Sequence, residues 1–453
     1  MPDLTIRGGT VVTPSGVIRS DIAVEDGGII AMEPELPGGA EEIDAAGLLI
    51  LPGLIDIHVH FNEPGRTDWE GASTGSRALA AGGGVLFFDM PLNSSPCTVT
   101  GAAFDQKRAA LESASITDFA LWGGLIPGSV EAMEEMAERG AIGFKAFLSN
   151  SGLDEFPRCG DLTLFHGMQQ AARLGLPVAL HAENEEITAG LSRQAIAEGR
   201  TGVGDYLRSR PVIAEVEAIT RAGVIARETG AKLHIVHVSS GSGVVAALEA
   251  RARGTDISIE TCAHYLFFTE DDVCRLGAVA KCAPPLRDAY ERDALWNRLR
   301  AGDIDVVASD HSPAPPEMKT GEDFFAIWGG IAGVQSTLSV LLGGRDLGYE
   351  HIARLTAGFA ARRFKLPGKG AIQIGHEASL VFIDPAASTT LASEHLFQRH
   401  KQTPYLGATF RGAVHRTLLR GRTIFCNGVA ADGPRGRFVR PAISTYAEPR
   451  TNA

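Results

Sequence analysis

Eight short apolar runs, each followed by a stretch with helical spacing or a long loop, constrain the fold of this 453-residue chain more than any other feature. In order they are LIDIHVH, GVLFFDMPL, DFALWGGL, GAIGFKAFL, PVALHAE, KLHIVHVSS, DISIETCAHYL and DVVASDH. Near-continuous apolar strands are buried on both faces, and their alternation with helices predicts a parallel sheet. Eight such units predict an α/β chain built on a (β/α)8 barrel rather than an open sheet. Residues 4–50 read differently, as short β segments (LTIRGGTVV, DIAVED, GGIIAM) broken by Gly, Pro and Asp, and such a piece needs a partner sheet. ASLVFID around Ser379–Asp384 and AVHRTLLRGRTIFCNG from Ala413 to Gly428 supply it. The expected organisation is residues 1–51 as the first part of a small β-sandwich domain, 52–372 as the barrel, and 373–453 as the rest of the sandwich, with a loose tail after Phe438.

Charge and cysteine usage exclude several classes of function. Lys and Arg total 42 against 54 Asp and Glu, a net charge of −12 that disfavours nucleic acid and anionic membranes as partners. The N-terminus has no basic segment followed by an apolar run, and no stretch of ~18 apolar residues occurs. The six cysteines, at 97, 159, 262, 274, 282 and 426, form no C-x-x-C pair, which fits free thiols in a reducing, cytoplasmic setting.

Barrel active sites gather at the C-terminal ends of the strands, and here polar residues close the runs. In Leu54–His60 a period of two puts Asp56, His58 and His60 on one face and Ile55, Ile57 and Val59 on the other, so two imidazoles point into the barrel mouth. Taken alone, such a pair is also compatible with hydrogen-bonded core histidines. His181 and His237 close two further runs and Asp310 a third. Imidazoles and a carboxylate in one mouth suit zinc or a similar divalent ion. Lys145 shares a strand face with Gly143 and Phe147, opposite Phe144 and Ala146, which puts a cation inside the barrel. Two readings stand for it: a salt bridge to a barrel carboxylate, or a neutral amine that takes up carbon dioxide as a carbamate able to bridge two metals.

The blocks DIHVHFNEPGRTDWEG, DMPLNSSP, GFKAFLSNSGLDEFP, HAENEE, HVSS, ETCAHYL, KCAPPLR, SDHSP and WGGIAGVQ run in order from about Leu51 to Gln335. Together they resemble the cyclic amidohydrolases, and among these the branch that opens allantoin. The resemblance implies two divalent metal ions, zinc foremost, with cobalt, manganese and nickel as alternatives. It implies that His58, His60 and Asp310 hold the buried ion, that His181 and His237 hold the more exposed one, and that Lys145, as N6-carboxylysine, bridges both. A hydroxide between the metals would attack a ring carbonyl, and Asp310 would be the catalytic base that passes a proton to the leaving nitrogen. The implied partners are a small-molecule substrate, allantoin, and copies of the chain in a homotetramer.

Ring specificity rests on fewer residues. Dihydroorotases that resemble this pattern carry Arg two residues after the second histidine, where this chain has Asn62, a neutral amide suited to an uncharged ring. An asparagine that caps a loop is the alternative at that position. By resemblance, main-chain groups at Ala283 and Gly330 also bind the ring. The chain departs from its relatives at Ala263, where proline is common, and at Ala314, where cysteine is common. His264 and His311 are candidate neighbours of the centre, and His234 is expected to face the helices. Gly241-Ser242-Gly243 mimics a dinucleotide fingerprint, but a sixth βα unit of a barrel is the wrong context for one. Hydantoinase, dihydropyrimidinase and dihydroorotase are the rival activities, and a scaffold homologue without metal is the rival outside enzymes.

Overall fold

A computed structural model describes residues 1–344 and 346–442. All eight apolar runs become barrel strands. After the five N-terminal strands β1 (Leu4–Thr13), β2 (Gly16–Glu25), β3 (Gly28–Glu33), β4 (Glu41–Asp44) and β5 (Leu49–Pro52), the barrel begins with β6 (Leu54–Val59), β7 (Gly84–Asp89) and β8 (Asp118–Leu121). It continues through β9 (Gly123–Gly124), β10 (Phe144–Phe147), β11 (Pro177–His181), β12 (Lys232–Ile235), β13 (Ile257–Cys262) and β14 (Val306–Ala308). Strands β8 and β9 are one run interrupted at Trp122, whose N–H instead donates to Asp89. Neighbours pair in parallel in the order β6-β7-β8 and β9-β10-β11-β12-β13-β14. A parallel bridge from Val59 to His311 and the His60 N–H to His311 C=O bond (2.8 Å) bring the last strand back to the first.

The helices between strands end where the sequence supplies a left-handed residue. Gly175, Gly230 and Gly302 (φ +68°, +68° and +82°) terminate the helices that precede β11, β12 and β14, so the chain can turn straight back into the barrel. Phe144, Ala146, Val178 and Leu180 belong to the apolar cluster under these helices. Strand β6 departs from simple alternation. Its pairing with β7 shifts between Asp56 and Val59, and Ile55 and Ile57 join the cluster around Trp122 and Phe88 while Val59 joins the helix-facing cluster. One extra residue in a strand re-aims the side chains beyond it.

The two ends of the chain meet in one nine-stranded sheet of order β18-β17-β16-β15-β5-β1-β2-β3, with β4 paired to β1. Its C-terminal strands are β15 (Leu380–Thr390), β16 (Thr409–Leu419), β17 (Arg422–Cys426) and β18 (Val429–Ala430). The seam is antiparallel, Leu380 opposite Pro52 and Ile383 opposite Leu49. The sheet folds over its own apolar core, including Ile6, Ile22, Ile50, Phe382 and Leu418, as a β-sandwich. The tail is not loose where it is described. Phe119 and Val439 exchange main-chain bonds with their opposite segments (Phe119 N–H to Arg437 C=O, 3.1 Å; Val439 N–H to Phe119 C=O, 2.8 Å), because Phe438 buries its ring on Phe104 and Phe119. The end of that tail, 443–453, lies outside the described residues.

Asp118, at the entry of β8, couples the barrel to the C-terminal segment. Its carboxylate accepts from Arg420 Nη1 at 2.6 Å on both oxygens, from Lys369 Nζ at 3.1 Å and from the Arg437 N–H at 2.9 Å. Removing one member of a buried ionic cluster strands the others. Asp118→Ala is expected to lower the unfolding free energy by about 3 kcal/mol, read as an earlier midpoint in denaturant unfolding.

Candidate metal centre and substrate cavity

The six donors singled out in the sequence all sit at the mouth of the barrel and are all buried. His58 and His60 lie at the end of β6, Lys145 within β10, His181 as the last residue of β11, and His237 and Asp310 two residues beyond β12 and β14. His237 and Asp310 have left-handed backbones (φ +40° and +45°), a conformation costly for residues with a Cβ. Such outliers cluster at functional sites, and these two aim their side chains back over the mouth.

The donor atoms gather at two adjacent points. Asp310 Oδ1 stands 3.3 Å from His58 Nε2 and 3.4 Å from His60 Nε2. His181 Nδ1 stands 3.1 Å from His237 Nε2. Two nitrogens held about 2.0–2.1 Å from one tetrahedral ion lie roughly 3.3 Å apart, so both spacings fit shared divalent ions. His58, His237 and Asp310 also offer three donor atoms within 4.8 Å of one another, which places the two points side by side. Burial lowers the pKa of His60 and His181 and holds His237 well below its ordinary value, with Lys145 adding to the effect on both His181 and His237. Neutral imidazoles are the form that binds metal. Burial alone would raise Asp310, but His58 and the hydrogen bond from His60 outweigh it and keep it a carboxylate.

Among the described residues Lys145 has no salt bridge. Its Nζ is fully buried without a hydrogen-bond partner among the described residues, 4.9 Å from the centre of the Phe147 ring. Burial lowers its pKa to about 7 against the opposing pull of Glu260 and Asp310. An unpartnered amine beside two donor clusters fits a group that acquires its partner by modification or by metal.

Two carboxylates behind the imidazoles were not singled out in the sequence. Glu260 accepts from His58 Nδ1 (2.8 Å), from the His237 N–H (3.0 Å) and from His234 Nε2 (3.0 Å). Glu183 accepts from His181 Nε2 (2.8 Å) and is paired with Arg210. Both are held near pKa 2 because, despite burial, His58 and Arg210 respectively stabilise their charge. Each bond protonates one ring nitrogen and leaves the other free toward the mouth, which sets the tautomer that binds metal. The available signal was a carboxylate inside an apolar strand, ISIETC, and one in HAE. His234 does not face the helices: it is fully buried against Ser258, Glu260 and the Trp122 ring, because Glu260 draws it inward.

A cavity of about 340 Å³ opens above the donors and is lined by His58, His181, His237 and Asp310 among others. Ala283 and Gly330 also line it. The Gly330 N–H already donates to Lys281 C=O (2.8 Å) and its carbonyl accepts from Lys319 Nζ (2.6 Å), leaving it one acceptor lone pair. Asn62 is not in this lining. It is buried with φ +63°, its main-chain carbonyl accepts the Arg66 N–H, its side-chain amide donates to Pro313 C=O at 3.4 Å, and its Oδ1 has no hydrogen-bond partner among the described residues. Asn93 and Asn150 do reach the cavity, and Asn93, also left-handed (φ +68°), stands 3.3 Å from His60 Nδ1. His264 is buried with Nε2 unpartnered, and His311 Nδ1 accepts the Gly333 N–H (3.2 Å) and so serves the loop behind it. Gly241 and Gly243 are explained by packing, since a Cβ would meet Ala294 at 2.4 Å or Glu215 at 2.7 Å.

A barrel with metal donors converging at its C-terminal mouth and a carboxylate among them defines a metal-dependent hydrolase architecture. The chain matches the amidohydrolase family over residues 49–424 and belongs to it. It is 63% identical to an allantoinase of Solibacter usitatus over 99% of both chains, and 55% identical to an allantoinase of Rubrobacter xylanophilus over 97% of this chain and 98% of that one. Among solved structures, an L-hydantoinase (dihydropyrimidinase) from Arthrobacter aurescens superposes with a TM-score of 0.94 at 32% identity, covering 97% of this chain and all of that one.

Glu260→Gln removes the charge that orients His58 and His234. A drop of roughly 10- to 100-fold in metal affinity is expected, measurable by competition with a chromogenic chelator.

Proposed function

We propose that this chain is an allantoinase, which hydrolyses the hydantoin ring of allantoin to allantoate with two divalent ions. The full-length likeness to allantoinases, closer than the likeness to hydantoinases, supports this choice of ring. All six donors are present and converge, which disfavours a scaffold homologue. His58, His60 and Asp310 would hold one ion, His181 and His237 the other, and Lys145 as a carbamate would join them. When bound, the ions supply Lewis acidity and a nucleophile from water at neutral pH.

The protein's own residues then manage protons and position. Glu260 and Glu183 keep His58 and His181 in the tautomers that leave a lone pair at the mouth. Asp310, held ionised, takes a proton from water as the oxygen joins the ring carbonyl carbon, and returns it to the ring nitrogen as the C–N bond breaks. One water is consumed, and a ureido N–H and a carboxylic acid result, the acid then releasing its remaining proton to solvent as the carboxylate. Asn93, Ala283 and the remaining lone pair of Gly330 line the space for the ring. Arg210, neutralised by Glu183, is not a free cation for a substrate carboxylate, which fits an uncharged ring better than dihydroorotate.

Zinc suits the histidine-rich donor set, with cobalt, manganese and nickel able to replace it. The resemblance that suggests the ring also suggests a homotetramer, which light scattering tests as a fourfold chain mass. A cytoplasmic setting is in keeping with six unpaired cysteines.

Purified protein incubated with divalent metal and bicarbonate, then given allantoin, hydantoin, dihydrouracil and dihydroorotate in parallel, is expected to open allantoin preferentially. Preference for another ring would overturn the choice of substrate. Lys145→Ala should lose activity and regain part of it with a short-chain carboxylic acid. Asp310→Asn should lower kcat by roughly 100- to 10,000-fold while losing less metal than activity, as read by elemental analysis.

A further inference from the structure

One wall of the cavity, Phe325–Gly330, belongs to neither a helix nor a strand. Its carbonyls therefore have no ladder to enter, yet main-chain polar groups beside a cavity must find partners. Two lysines supply them. Lys281 Nζ donates to the carbonyls of Phe325 (3.3 Å) and Ile327. Lys319 Nζ donates to those of Trp328 (3.0 Å) and Gly330 (2.6 Å), and to Ala278 (3.4 Å) on the opposite side. The Gly330 N–H returns to Lys281 C=O (2.8 Å) and the Trp328 N–H to Met318 C=O (3.1 Å), so the wall is tied to both lysine-bearing segments.

Neither ammonium forms an ion pair with a carboxylate among the described residues. Lys281 is buried and lies over the rings of Tyr206 (4.7 Å) and Phe324 (5.4 Å). Burial, and then Arg210, lowers Lys281 to about 8, while burial and Lys281 lower Lys319 to about 7. Two unpaired cations in one place are a costly way to brace a loop, since apolar side chains would fill the same volume without losing hydration. What the ammonium groups add is direction: three donors each, aimed at four of the six carbonyls of one cavity wall.

We propose that Lys281 and Lys319 are positioning residues for ring opening, clamping the Phe325–Gly330 wall by its carbonyls so that it meets the ring already ordered. The inference rests on the ring-opening reading above. A wall ordered in advance spares the substrate the cost of ordering it, so losing the clamp should weaken binding more than the chemical step.

The test uses metal-loaded, full-length Lys281→Met and Lys319→Met proteins, with two readouts. Amide hydrogen exchange over residues 323–331 in the substrate-free protein should quicken by ~10-fold or more, while β11 and β13 exchange as before. With the ring that the unsubstituted enzyme opens, KM should rise by ~10-fold and kcat change less than about threefold. Lys281→Gln and Lys319→Gln keep an N–H donor of similar reach, so they should recover part of the protection and of KM, and they carry the test if the Met variants fail to fold. Unchanged exchange would overturn the clamp. Quicker exchange with unchanged KM would overturn the positioning role and leave a brace. If the unsubstituted enzyme opens no ring, the functional reading fails, and the exchange measurement still decides whether the clamp exists.

Discussion

Six ionisable side chains buried together at one barrel mouth is the constraint on which the rest of this structure depends. Left to themselves, buried imidazoles, a carboxylate and an amine would exchange protons and pair off. Glu260 and Glu183 prevent this by engaging the far nitrogen of His58 and His181, so that the near nitrogens keep their lone pairs. These carboxylates stay charged despite burial because His58, with His234, stabilises Glu260 and Arg210 stabilises Glu183. The centre is thus the top layer of a polar column running down through β12 and β13, and Trp122 and Phe364 close that column from below.

The β-sandwich serves this arrangement indirectly. It joins the first five strands to the last four across the β5–β15 seam, so the N-terminal and C-terminal strands are both fixed beside the strand that carries His58 and His60. Asp118 adds a second tie, from β8 to Arg420, Lys369 and the Arg437 main chain. The mouth at the opposite end of the strands is then free to be built from loops. There Asn93, Ala283 and the Phe325–Gly330 wall surround the cavity without belonging to the sheet.

Much of this was legible in the chain because it depends on periodicity. A buried parallel strand must be apolar along its length, and eight such runs, closing in His58, His60, His181, His237 and Asp310, mark both the barrel and its functional end. The failures are equally physical. The irregularity in β6 defeats alternation at Ile57, since a shift in pairing leaves no mark in composition. Alternation from His237 predicts that His234 faces the helices, but His237 lies beyond the strand, in a left-handed turn where the alternation no longer holds. Asn62 and Asn93 are both left-handed asparagines after a barrel strand, and only the tertiary structure separates them, Asn62 giving its amide to Pro313 C=O and Asn93 lining the cavity.

The sequence by itself determined the architecture and the order of the strands, and it placed His58, His60, His181, His237 and Asp310 at strand ends, because these follow from periodicity along one chain. Only the tertiary structure decided that Lys145 stands without a partner among the described residues, that Glu260 and Glu183 orient the imidazoles, and that Lys281 and Lys319 share one wall. Those facts depend on distances between residues far apart in the chain, such as the 202 positions between His58 and Glu260, and such distances exist only once the barrel closes.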